Sequence, residues 1–68
     1  MLGKPKYKEG DTVTFLWEGV TKTGGILIVD PWGTFHDPSD VSYDIVVEDE
    51  NMLYKHINER YVKRAKKP

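Results

Sequence analysis

Three groups of side chains in this sequence have the makings of chemistry. Carboxylates crowd the middle (Asp30, Asp37, Asp40, Asp44, Glu48, Asp49 and Glu50) with His36 among them. Two large aromatic residues, Trp32 and Phe35, stand among turn formers, and lysines and arginines gather at both ends. Acids beside a histidine are the raw material of a metal site. Here Asp37, Asp40, Asp44 and His36 match neither the ligand spacing of a calcium loop nor a zinc pattern, and acids in a Pro-Ser-Asp setting commonly form turns. No metal and no cofactor is expected. Catalysis has less to draw on. The chain has no Cys, no Gly-rich phosphate loop and no serine elbow, and His36 and His56 fall on different expected elements without a partner at useful spacing. A barrel of 68 residues also lacks the volume for a water-excluding pocket. An enzyme is not expected.

Binding is the better supported class, and two surfaces compete for it. Trp32 in a turn, Phe35 three residues on, and Tyr54 on the adjacent sheet face form a candidate protein-binding patch, since exposed loop aromatics anchor partners. The competing expectation is that Trp32 or Phe35 folds back as a lid over one end of the domain. The second surface is basic: Lys4, Lys6 and Lys8 open the chain, and Arg60, Lys63 and Arg64 close it. Brought together they would contact nucleic-acid phosphates, with Tyr61 or Tyr7 as a stacking platform. Otherwise they are solvated ends that keep the protein soluble and guard a sheet edge from pairing. An acidic face that mimics phosphate and docks on a nucleic-acid-binding protein is a third idea, raised by the carboxylates of the middle.

Composition narrows the choice. The formal net charge of −1 argues against a general nucleic-acid coat, and the basic–acidic–basic distribution matters more than the sum. No apolar run reaches the length of a membrane span, and Met-Leu-Gly-Lys-Pro-Lys at the start carries no signal-peptide core. A cytoplasmic protein with no membrane partner is expected, and the lack of Cys fits a reducing compartment.

These groups have to be positioned by a small all-β domain. Residues 1–8 read as a flexible basic arm, 9–63 as the folded unit and 64–68 as a basic tail. Val13, Phe15 and Trp17 alternate with Thr12, Thr14 and Leu16, the period of a half-buried strand. Glu18-Gly19 reads as a two-residue reversal. A strand from about Val20 to Val29 follows, and Gly24-Gly25 inside it marks a bulge or sharp bend, where one strand passes between sheets. Ile26-Leu27-Ile28-Val29 is apolar throughout, as expected of a strand covered on both faces. Asp30-Pro31-Trp32-Gly33 has type I turn preferences. Tyr43, Ile45 and Val47 alternate cleanly, Asp49-Glu50-Asn51 fits a three-residue loop with left-handed Asn51, and Met52 to His56 returns antiparallel. One helical turn is expected at Ile57-Asn58-Glu59, then a closing strand at Tyr61-Val62. Five short strands with frequent turns suit a closed barrel, which removes exposed edges. The phase of Trp17 stays open, because a bulge would shift it by one.

Gly10-Asp11-x-Val13, Gly25-x-Leu27 and Ile57-Asn58-Glu59-x-Tyr61-Val62 resemble the beginning, middle and end of an SH3-like barrel, the last including a 3₁₀ turn before the final strand. With Gly33-Thr34-Phe35, Ser42-Tyr43-Asp44-Ile45 and Leu53-Tyr54-Lys55-His56-Ile57, residues 7–62 are similar to small uncharacterised proteins of Gram-positive bacteria and their phages. The resemblance implies a five-stranded SH3-like barrel and a prophage origin, and it brings no established activity. SH3 relatives hold extended, often proline-rich peptides with loop aromatics. Their acidic specificity loop is missing here, because the first turn is only Glu18-Gly19.

Overall fold

A computed structural model describes residues 4–32 and 40–65. Phe35, His36 and Asp37 lie outside the described residues. The strands are β1 (Thr12–Trp17), β2 (Val20–Asp30), β3 (Ser42–Val47), β4 (Met52–Asn58) and β5 (Val62–Arg64), with 3₁₀ turns at Glu48–Glu50 and Glu59–Tyr61. Among the described residues no helix is long and apolar enough to cross a membrane.

The alternation in β1 does what its pattern requires: Val13 and Phe15 are buried and Thr12 is exposed. Trp17 closes the first hairpin opposite Val20. Both turn residues have positive φ, Glu18 at 48° and Gly19 at 82°, as a type I′ reversal demands. β2 then serves two neighbours. Its first half pairs with β1, its second half with β3, and Gly25 is opposed on both sides, by Thr12 and Val46. At Gly24 the backbones come so close that a Cβ would stand 2.4 Å from the Val46 carbonyl oxygen. The glycine pair therefore marks a close approach. The extra residue of the bulge falls further on, at Leu27, between the Ile26↔Ile45 and Ile28↔Asp44 pairs.

That bulge overturns the expectation for the Ile26–Val29 run. Ile26 is buried, but Leu27 and Ile28 are 46% and 49% exposed, so the strand is not covered on both faces. The inserted residue shifts the side-chain phase and turns both to the outer face, where Ile28 stands opposite Asp44.

The hairpin loop at Glu48–Asn51 spans one residue more than expected, closing with the Val47↔Met52 pair. Asn51 takes the left-handed conformation foreseen for it (φ 53°, ψ 43°). The last 3₁₀ turn begins two residues later than expected, because Ile57 and Asn58 still pair with Tyr43 and Ser42.

All five strands are antiparallel neighbours in one sheet, ordered β4-β3-β2-β1-β5. The ladder does not close into the expected barrel: β4 and β5 are the two ends of the order. Inner-face residues of every strand nonetheless form one cluster, from Tyr54 and Ile57 of β4 through Tyr43 and Ile45 to Phe15 and, on β5, Val62. No second layer exists among the described residues, so the sheet must coil over its own inner face. Truncating a ring as buried as Phe15 would cost about 3–5 kcal/mol.

Candidate functional site

The coiling leaves two adjoining clefts between the first hairpin and the second 3₁₀ turn. One, of about 330 Å³, is lined by Leu16, Trp17, Glu18, Gly19, His56, Ile57, Asn58 and Tyr61. The other, of about 320 Å³, is lined by Thr14, Phe15, Leu16, Thr21, Arg60, Tyr61 and Lys63. Leu16 and Tyr61 line both, so the two clefts adjoin across these side chains as the halves of one groove.

Each wall has a local cause. Leu16 is the apolar residue at an outward position of β1, out of phase with Val13 and Phe15. Trp17 lies at the rim and packs its ring edge on Tyr54, centroids 5.1 Å apart. Tyr61 ends the 3₁₀ turn and is 46% exposed, while the next residue, Val62, is buried against β1. The turn is pinned from the β3 side. Glu59 N donates to the Val41 carbonyl (2.8 Å), and Asp40 Oδ2 accepts from Arg60 N (3.5 Å) and lies 3.4 Å from its Nε. The Arg60 guanidinium lies over the Tyr61 ring at 5.7 Å. His56 enters the groove from a second bulge, where it and Lys55 oppose Asp44 alone. Its φ is +60°, and its N–H donates to Asp44 Oδ1 (3.0 Å).

The basic ends do converge, and they divide into two sets. Tyr7 packs its edge on Tyr43 (5.8 Å), and its hydroxyl donates to the Val62 carbonyl (3.4 Å). Lys6 N donates to Glu59 Oε2 (3.1 Å), and Lys8 N to Asp11 Oδ2 (3.0 Å). Lys6–Lys8, expected as part of a loose arm, therefore lie docked on the domain. Lys6, Lys8 and Arg64 share one cleft with Pro5, Tyr7 and Asp11. Arg64 arrives there because β5 pairs with β1, opposite Val13. Arg60 and Lys63 line the groove instead, and Lys4 is exposed. Beneath the docked arm, the Tyr43 hydroxyl donates to Glu59 Oε2 (2.5 Å) and accepts from Tyr7 N (3.4 Å). Burial first, and then the Glu59 carboxylate, push the Tyr43 phenol well above its ordinary pKa.

The proposed aromatic patch is redistributed. Trp32 is 68% exposed, its N–H donating to Asp30 Oδ1 (3.0 Å), so it is not a lid. Asp30 pairs with Ser42, which pairs with Asn58 of the groove wall. Trp32 follows the end of β2 opposite to Val20, which pairs with Trp17 of the groove, and it does not line either cleft. Tyr54, by contrast, is only 6% exposed: its ring packs on Phe15 and Trp17 as part of the core. Its hydroxyl donates to Glu50, which also pairs with Lys22 Nζ at 2.6 Å. These contacts hold the Glu50 carboxyl below its usual range, Lys22 more than Tyr54, and the Glu50 contact raises Lys22.

The acids of the middle have mostly structural work. Asp40 holds Arg60, Asp44 holds the His56 bulge, and Glu48 and Asp49 are exposed at the hairpin tip. Among the described residues no three His, Asp or Glu side chains are grouped to hold a metal ion. The groove itself escaped sequence reasoning, although one signal existed: Leu16 is an apolar residue at the polar phase of its strand. Comparison with family models, curated proteins and solved structures finds no match to this chain.

Proposed function

We propose that the protein is a non-enzymatic interaction module built as a partly open SH3-like barrel, and that it binds an extended segment of a protein partner in the Leu16–Trp17–Tyr61 groove. One observation carries this: two clefts adjoin at Tyr61, a large aromatic side chain held outward on a pinned turn. An exposed amphipathic ring in a concave, partly apolar surface supplies contact area at small entropic cost, as recognition anchors do. The strand order β4-β3-β2-β1-β5 with a 3₁₀ turn before the last strand supports the SH3-like description.

The test is selection of binders from a displayed library of extended peptides, followed by Tyr61→Ala. Tyr61 is far enough outside the core for that variant to keep its fold, which its melting curve checks. Selected peptides should shift the amides of Leu16, Trp17 and Tyr61 and lose affinity to the variant about tenfold. Peptides that bind Tyr61→Ala as well as the parent would end the proposal.

A second possibility, nucleic-acid binding, has its own observation: Lys6, Lys8 and Arg64 converge on one cleft. Titration with oligo(dT) at low salt decides it, and unchanged amides at Lys6, Lys8 and Arg64 would exclude it.

A further inference from the structure

Charge is distributed unequally along the groove. In the half beyond Tyr61 toward β5, the charged lining residues are two cations, Arg60 and Lys63. Asp40 lies against Arg60, at 3.4 Å from its Nε. Lys63 meets no carboxylate among the described residues, and its strand partner is the neutral Thr14. Glu59, the nearest acid in sequence to Tyr61, is turned inward, where its Oε2 accepts from the Tyr43 hydroxyl and from Lys6 N. The other half carries a single carboxylate, Glu18, at the hairpin turn. The groove therefore runs from a cationic end through an apolar middle to an end bearing one negative charge.

We infer that the partner segment is acidic at one end: an extended peptide that lays apolar side chains across Leu16, Trp17 and Tyr61 and turns Asp or Glu carboxylates toward Lys63 and Arg60. The inference rests on the groove proposed above and adds the partner's chemistry and its direction. Opposite charges across a rim steer the encounter and fix orientation, while Glu18 repels an acid placed at the wrong end. The arrangement reverses the polarity of an acidic groove, which would select basic peptides. Salt should weaken binding, because Lys63 is exposed and its field is screened beyond about 8–10 Å.

The same peptide selection, repeated against Lys63→Glu, is the test. Binders of the parent protein should be enriched in Asp and Glu on one side of an apolar pair. They should lose roughly fivefold in affinity to Lys63→Glu, the size expected for a rim charge, and the variant should select less acidic sequences. If parent binders depend on Tyr61 but are neutral or basic, the inference falls and the groove stands. If no selected peptide depends on Tyr61, both fall. Should oligo(dT) outcompete every peptide while shifting the amides of Tyr61 and Lys63, the partner is nucleic acid, and the inference is overturned.

Discussion

Gly24 and Gly25 are adjacent, yet the structure demands a glycine at only one of them. Neither has a positive φ, so the difference is steric. A Cβ at Gly24 would sit 2.4 Å from the Val46 carbonyl oxygen and 2.8 Å from Ile45 Cγ2, whereas one at Gly25 would meet nothing within 4 Å. The atom in the way at Gly24 belongs to the β3 backbone, which is hydrogen-bonded on both sides and cannot swing aside as a side-chain tip would. Gly24→Ala must push β2 and β3 apart by roughly half an ångström in a close-packed interior. Overpacking of this kind costs about 1–3 kcal/mol, with the upper end expected for a rigid obstacle. Gly25→Ala instead gains about 0.4–1 kcal/mol from the reduced freedom of the unfolded chain. The two variants should therefore differ by about 3–4 kcal/mol. In a domain this size each kcal/mol moves the melting midpoint by about 4–8 °C, which predicts a gap of roughly 12–32 °C. Thermal denaturation followed by far-ultraviolet circular dichroism measures it. Midpoints within a few degrees of each other would refute the close approach of β2 to β3, and with it the pairing that shapes the sheet.

The Glu50 carboxyl is held below its ordinary pKa, first by Lys22 and then by Tyr54. Its contribution is thus present above the unfolded value of 4.5 and is lost as pH falls through the lower folded value. Glu50→Gln should be less stable than the parent at neutral pH, and urea denaturation should show the difference vanishing in acid; a difference that persists there would contradict the contact. His56 holds φ +60° without being glycine. His56→Gly should accordingly raise stability by about 0.5–1 kcal/mol in a urea titration, and a loss of that size would mean the imidazole contributes more than the strain costs.

Local signals in the sequence survived wherever one residue type had one conformational use. Gly19 as the second residue of a tight reversal and Asn51 in the left-handed position are of that kind, since few other residues take those angles cheaply. Alternation in β1 and β3 survived because both strands run without an inserted residue between their buried positions. It failed in β2 and β4, where bulges at Leu27 and at Lys55–His56 change the phase. A bulge is a property of two strands in register, and neither strand's residues announce it alone. The late start of the last 3₁₀ turn has the same origin, as the β4 bulge lets Ile57 and Asn58 continue the ladder. The meeting of Lys6 and Lys8 with Arg64 was legible because first and last strands that pair must bring the chain ends together. Tyr54 was not, since an aromatic residue on a strand can face either way and only the register puts it against Phe15.

The distribution of aromatic residues bears most directly on function. A small domain buries a modest fraction of its surface, so every large ring left outside forgoes stabilisation it could have had. Phe15, Tyr43 and Tyr54 fill the core and Tyr7 is docked on it. Trp17, Trp32 and Tyr61 stay exposed or at the rim. Their exposure is not an accident of strand phase alone. Tyr61 is turned outward by a 3₁₀ turn with two backbone anchors, and Trp32 by a turn whose first residue, Asp30, bonds its N–H. Trp17 and Tyr61 line one cleft with Asn58, whereas Trp32 follows the end of the 11-residue β2 opposite to Val20, the partner of Trp17. Scattered apolar residues need no explanation, whereas Trp17 and Tyr61 share the lining of one cleft, and that concave, partly apolar surface is what the proposed binding rests on.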